Sequence, residues 1–405
     1  MSAPPVDARD RAVYVHFPYC ASKCPYCDFN SHVVDHDDAE YADAILTELD
    51  ARQGDLPPPE PSRPALTSLF FGGGTPSRWA PSAVGRVLDG VRRTLGAGPE
   101  LEVSLEANPG SVDAGRFRAL VEAGVGRISI GCQSFDDAEL AWLGRRHDAR
   151  SGRRAVEAAQ AAGARVSLDV MYGLPGQDWP AVRRTLEQAV DLGTEHLSAY
   201  ALTVEPGTLL ARRARLKQFR PTDEDHLADL YLRVTGFLAE RGFARYEVSN
   251  YARPGAECRH NVAYWQGTAY LGLGAGAHGY RPGRGDAPSE RRANLDSPRA
   301  YLDTVAQGDF APRFTEALDL WDRTRDRLLV ACRTRWGIAL GDLALPPEVE
   351  AQLGPELATT GARLEREGLL QRSEGRFLPT PRGFAFADTI ARAWLDAVDA
   401  ARGGA

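Results

Sequence analysis

The chain has 405 residues, 43% of them hydrophobic and 25% charged, with a formal net charge of −7. That length predicts two or three packed cores in a globular protein rather than one ordinary domain. The acidic balance and the scattered basic runs argue against a nucleic-acid partner, because phosphate binding needs clustered positive charge.

Residues 1–11 read as an N-terminal tail. From 12 to 203, short apolar β-rich runs alternate with amphipathic helices, the pattern of a parallel sheet covered by helices. Strands are expected at 12–17, 68–71, 101–106, 127–131, 165–171 and 196–201, and helices at 37–52, 81–95, 112–123, 151–162 and 179–192. The proline-rich run at 56–64 cannot continue a helix and reads as a loop. Residues 204–309 form a less regular extension, with a helix at 223–241, a glycine-rich segment at 271–279 and a loop at 281–290. From 310 to 405 the composition changes again. Helices at 318–335 and 356–367, a hairpin at 368–378 and a last helix at 381–399 suggest a winged-helix-like α+β domain.

No stretch reaches the ~18 apolar residues of a membrane span, and the first ten residues lack a signal-peptide core. A cytoplasmic location is therefore expected, and peripheral membrane contact is not indicated. Lysine occurs only at Lys23 and Lys217, an arginine bias that a GC-rich genome produces without functional cause. In a reducing compartment the six cysteines are expected to be metal ligands or buried thiols rather than disulfides.

Cys20, Cys24 and Cys27 form C-x3-C-x2-C directly after the first expected strand. Electron-carrying cubanes take four cysteines. Three leave one iron of a 4Fe-4S cluster open, as a catalytic metal site keeps a position for its ligand, and the amine and carboxylate of S-adenosylmethionine (SAM) can chelate it. The rival reading is zinc, with His16, His32 or Asp28 as fourth ligand, but zinc knuckles favour paired C-x2-C groups and no second pair exists.

In a β/α barrel, ligand-binding residues gather at the C-terminal strand ends. Strand two runs into Gly72-Gly73-Gly74-Thr75-Pro76, whose bare backbone can approach an amine. Strand three ends at Glu106, strand four is followed by Gln133, strand five carries Asp169, and Arg145 is expected in the helix after Gln133. Each alone has an ordinary structural explanation; together they fall in register.

Five blocks of the sequence resemble oxygen-independent coproporphyrinogen III oxidases and the related radical SAM haem chaperones of the HemW family. They are Tyr14-Val-His-Phe-Pro-Tyr-Cys20, Gly72-Gly-Gly-Thr-Pro, Glu106-Ala-Asn-Pro, Gly131-Cys-Gln-Ser-Phe and Asp169-Val-Met-Tyr-Gly-Leu-Pro. The resemblance implies a partial six-stranded β/α barrel, with Tyr14, Gly73, Gly74, Thr75, Glu106, Gln133, Arg145 and Asp169 as SAM contacts. The oxidases carry a further cysteine two places after the third, where this chain has Phe29. Arg259-His260-Asn-Val-Ala-Tyr264-Trp265 resembles the chaperones' signature. The resemblance thus implies a haem chaperone, with haem, an apo-haemoprotein acceptor and an electron donor for the cluster as partners. Porphyrin oxidation, or radical chemistry on another substrate, stays open.

His260 is the candidate haem ligand, and Tyr264 and Trp265 could cover the porphyrin face. The alternative is a hydrogen-bonded loop histidine beside core aromatics. Cys132, Cys258 and Cys332 read as small buried side chains, although Cys258 could supply a thiolate to haem. His278, in Gly274-Ala-Gly-Ala-His278-Gly, could contact SAM or haem, or belong to a simple turn. No separate catalytic residue is assigned.

Overall fold

The computed structural model describes residue 4, residues 9–283 and residues 287–403. Residues 1–3 and 5–8 of the expected tail, 284–286 of the expected loop, and 404–405 lie outside it. Six parallel strands lie side by side in chain order: β1 (Arg11–Phe17), β2 (Ser68–Gly73), β3 (Glu102–Ala107), β4 (Arg127–Gln133), β5 (Arg165–Tyr172) and β6 (His196–Ala201). Each begins within one residue of its expected position. Their near-continuous burial, complete at six of the seven positions of β1, is what a parallel sheet with both faces covered requires. The covering helices start at aspartate caps such as Asp37, Asp148 and Asp178, whose side chains accept from first-turn amides.

The sheet does not stop at six strands. A partial barrel leaves β1 and β6 as open edges with unpaired backbone groups, and here both are covered. On the β6 side lie β7 (Ala244–Arg245) and β8 (Asn250–Ala252), with β8 antiparallel to β6. On the β1 side, β9 (Ala269–Leu273) pairs parallel to β1. The antiparallel run β10 (His278–Arg281), β11 (Ser289–Ala293) and β12 (Phe314–Leu318) follows, making twelve strands in one sheet among the described residues.

The turn between β9 and β10 is fixed from below. Glu48, on the helix Asp38–Arg52, accepts from the Gly274 amide at 2.8 Å and from the Tyr301 hydroxyl at 2.8 Å. Arg52 donates to the Gly272 carbonyl at 2.9 Å. These are buried, charge-assisted bonds between sequence-distant segments.

Past β12, helices Leu320–Ala331, Pro347–Arg366 and Ala387–Gly403 and the hairpin β13 (Leu370–Ser373) with β14 (Arg376–Pro379) enclose a second core. It contains Leu328, Leu353, Leu357, Leu364, Phe377 and Trp394. Three expectations shift here. Residues 314–318 still belong to the main sheet, the helix expected at 356–367 starts nine residues earlier, as Pro347–Arg366, and the expected helix at 381–399 is two helices, Pro381–Ala385 and Ala387–Gly403. Arg335 ties this region back to the barrel extension through a 2.8 Å ion pair with Glu257. Among the described residues no helix is long and apolar enough to cross a membrane.

Candidate functional site: the cysteine loop and the strand ends

The three cysteines sit on the loop leaving β1, and the loop is held at both ends. The Cys20 amide donates to His32 O at 2.9 Å, and His32 N donates to Pro18 O at 2.7 Å. The Asn30 amide group donates to Ala275 O at 3.2 Å and Asp296 O at 3.0 Å, tying the loop to the β9–β10 turn and to the segment after β11. All three thiols are partly accessible and free, whereas Cys132, Cys258 and Cys332 are buried. Burial raises the Cys258 thiol to about 11, which disfavours the thiolate a haem iron would need.

The zinc alternative gains no support from the geometry. Among the described residues no three His, Cys, Asp or Glu side chains converge on a single-ion position. His16 has both ring nitrogens engaged, Nδ1 with the Tyr14 hydroxyl at 2.9 Å and Nε2 with Asn30 O at 2.8 Å. His32 Nε2 meets Asn30 Oδ1 at 2.9 Å. A cubane does not demand convergence, since each thiolate takes its own corner iron.

The glycine loop after β2 lies against the start of the cysteine loop. Gly74 N donates to Phe17 O at 2.7 Å and Thr75 N to Tyr19 O at 3.0 Å. Gly73 N donates to Glu106 Oε2 at 3.0 Å. With its amides committed, the loop has carbonyl oxygens to offer an ammonium. Gly73 has φ +113°, and a Cβ there would stand 2.6 Å from the His16 ring. Thr75 Oγ1 lies 3.4 Å from Cys20 Sγ.

Glu106 lines the barrel cavity with little water around it. Burial first, and the nearby Asp169 second, raise its carboxyl to about 8, against the Gly73 amide. Asp169 is raised to about 6 by burial, opposed by hydrogen bonds from Ser198 and Ser129 and by the Arg145 charge. A site whose carboxyls are held above their ordinary range suits a cationic ligand.

Arg145 is not on a helix, as expected, but in the turn between helices Asp137–Trp142 and Ala149–Ala161. From there it donates to Gly131 O at 2.6 Å and points Nη1 at Cys24 Sγ, 3.6 Å away, and at the Tyr26 hydroxyl, 3.5 Å away. Its Nε is buried with no partner among the described residues. An orphaned guanidinium donor beside a thiol fits an anionic occupant. Gln133 ends β4 at φ +69°, rare for a residue with a side chain, where the register with β5 shifts. The Tyr200 hydroxyl donates to its Oε1 at 2.7 Å. The sequence reading missed Tyr200, although it stands near the end of expected strand six and the strand-end rule could have found it.

One cavity of about 1290 Å³ borders part of this site, with the three cysteines, Gly74, Thr75, Gln133, Arg145 and Asp169 outside its lining. Its wall takes in Tyr14, Gly73 and Glu106 on one side, Phe29 of the cysteine loop, and Tyr264, Tyr270, His278 and Tyr280 of the extension. His260 is elsewhere. It lies on helix Arg259–Gln266 rather than in a loop, is only 2% exposed, and has both nitrogens occupied. Nδ1 is 3.0 Å from Ser68 Oγ and Nε2 is 2.9 Å from the Tyr264 hydroxyl.

A partial parallel β/α barrel with a three-cysteine loop after its first strand and a glycine loop after its second defines a radical SAM protein. Residues 14–189 match the family described as "Radical SAM superfamily". The chain is 36% identical, over 96% of its own length and 96% of the relative's, to a protein of Mycobacterium tuberculosis named heme chaperone HemW. It is 42% identical to the Escherichia coli protein of that name over 66% of this chain and 69% of the relative. The chain belongs to the HemW family. In fold it is similar to the Escherichia coli coproporphyrinogen III oxidase, with a TM-score of 0.77 at 22% identity over 95% of this chain and 90% of that one.

Proposed function

We propose that this chain is a haem chaperone that carries a 4Fe-4S cluster on Cys20, Cys24 and Cys27, binds SAM beside it, and passes haem to an apo-haemoprotein. Its family membership supports the chaperone reading. The observation that carries it is the single cavity of about 1290 Å³ running from the glycine loop to the aromatic wall. That exceeds the roughly 300–1,000 Å³ of one small-molecule site, leaving room for a tetrapyrrole next to a nucleoside.

In this reading Tyr14, Gly73, Gly74, Thr75, Glu106, Gln133, Arg145 and Asp169 hold SAM. Glu106 and the carbonyls after β2 receive an ammonium, and the Arg145 guanidinium balances negative charge at the Cys24 thiolate. When bound and reduced by an external electron donor, the cluster would supply one-electron cleavage of the sulfonium. Phe29 is 61% exposed at the cavity, in the place where the oxidases of the group carry a cysteine, and this favours the chaperone over porphyrin oxidation.

The test is a direct comparison. Anaerobically reconstituted protein is expected to bind haem and load an apo-haemoprotein, and to release no carbon dioxide from coproporphyrinogen III given SAM and a low-potential reductant. Carbon dioxide release at an enzymatic rate overturns the reading.

A further inference from the structure

The extension's strands place a set of side chains on one sheet face. Tyr280 on β10 is directly opposite Tyr270 on β9 and Arg291 on β11. His278 is opposite Ala293, which is opposite Phe314 on β12. Directly opposed residues project to the same side, and so do residues two apart on one strand. His278, Tyr280, Tyr270, Arg291 and Phe314 therefore share a face, and the first four line the cavity.

His278 differs from the other imidazoles near this wall. His16 and His260 have both nitrogens engaged, whereas neither nitrogen of the exposed His278 has a hydrogen-bond partner among the described residues. Its ring meets Phe314 edge-on at 5.8 Å. Partial shielding from water and the Arg313 charge lower its pKa, against Asp296, which favours the neutral ring that coordinates a metal.

The turn that delivers His278 has little freedom. A Cβ at Gly276 would stand 2.1 Å from the Asn30 side chain, one at Gly274 2.5 Å from His16 O, and one at Gly272 1.9 Å from His278 O. Only bare backbone fits between the cysteine loop, β1 and β10. The same turn receives the Glu48, Tyr41 and Asn30 hydrogen bonds, so the imidazole stands on a braced platform.

We propose that His278 is the axial ligand by which this chain holds haem iron, with the macrocycle against the Tyr270 and Tyr280 side of the cavity, and that His260 is a structural residue. The assignment rests on the haem-chaperone reading.

The experiment is a haem titration of the full chain followed by absorption spectroscopy, in wild type, His278→Ala, His278→Gly and His260→Gln, each checked by thermal melting. His278→Ala is expected to weaken haem binding roughly tenfold or more and to move the Soret band. Added imidazole should return the wild-type spectrum to His278→Gly, and His260→Gln should keep that spectrum. If wild type binds haem but His278→Ala matches it in affinity and spectrum, the ligand is elsewhere and only this assignment falls. If His260→Gln melts normally yet loses the wild-type spectrum, the assignment is equally overturned. A wild type that binds no haem removes the chaperone reading itself.

Discussion

The amide of Gly73 donates a 3.0 Å hydrogen bond to Oε2 of Glu106, joining the end of β2 to the end of β3 at the floor of the proposed SAM site. Gly73 can make this bond because its φ of +113° is open to glycine and because nothing projects toward the His16 ring. Gly73→Ala must accept both the backbone strain and a 2.6 Å approach to that ring. We expect a loss of roughly 2–4 kcal/mol in chemical denaturation, and no SAM-dependent change in the spectrum of the reduced cluster. Gly85→Ala is the control. It lies within helix Pro81–Leu95, where a Cβ would meet only Ala123 at an ordinary 3.5 Å. It should be neutral or stabilise by up to ~1 kcal/mol.

The raised carboxyl of Glu106 makes a pH prediction. Its folded pKa of about 8 stands above the ordinary 4.5, so the folded state favours the proton. The stability this provides is complete below the unfolded pKa and is lost as pH rises through 8. Glu106→Gln should therefore match wild type near pH 4.5 and exceed it by about 2 kcal/mol near pH 8.5, a figure reduced for the water that reaches the cavity. Equal stability of the two proteins across this range would show that Glu106 titrates normally. SAM binding should be weaker in the variant above about pH 8, where the wild-type side chain is a carboxylate and an amide cannot balance an ammonium, and the difference should shrink as pH falls.

The six parallel strands were legible because each is a short run with a mostly apolar, largely buried centre, and a parallel strand covered on both faces leaves that mark in sequence. The same rule drew attention to Glu106 and Gln133 at the ends of β3 and β4, whereas Asp169 lies inside β5. What escaped lies at the sheet edges. β7 is Ala244–Arg245 alone, and β10 is four residues with an exposed histidine and an exposed arginine at its ends. Such strands carry no periodicity and exist because β1 and β6 need partners. Arg145 was recognised, but its turn could not be read, since the helix stops at Trp142 and resumes only at Ala149. His260 was singled out by its neighbours in sequence. Its partner Ser68 is 192 residues away, so the sequence could not show that its nitrogens were already taken.

Cluster loading separates the two groups of cysteines. Wild type reconstituted without oxygen should hold about four irons with matching sulfide. Cys24→Ser should hold fewer and lose the cluster's absorption, whereas Cys132→Ser and Cys332→Ser should load fully, because those thiols are buried away from the loop at 0% and 2% exposure. A full cluster in Cys24→Ser, or zinc as the bound metal of wild type, would sink the cluster reading. Arg145→Ala should leave the iron count near wild type but shift the cluster potential downward. The positive charge now beside Cys24 favours the electron-rich reduced state, and its loss withdraws that stabilisation.

His260 predicts the acid limb of stability. Burial alone lowers its pKa to about 3, and the ring is stacked on Phe70 at 5.1 Å with Ser68 and Tyr264 at its two nitrogens. The folded chain keeps this histidine neutral while the unfolded chain protonates it near 6.5. Its contribution is thus present above 6.5 and is lost as pH falls toward 3. His196 adds to the same slope, since burial also holds it well below the ordinary value. His260→Gln has no such titration and can keep one of the two hydrogen bonds. It should cost about 1–2 kcal/mol near pH 7.5, from the lost stacking and the unmet partner. Between pH 6 and 4 its stability should fall less steeply than that of wild type, and the gap between the two should narrow. Denaturant midpoints measured every half unit over that range decide the matter. Parallel curves would mean that His260 carries a proton in the folded state, and the two-sided hydrogen bonding that commits its nitrogens would then be wrong.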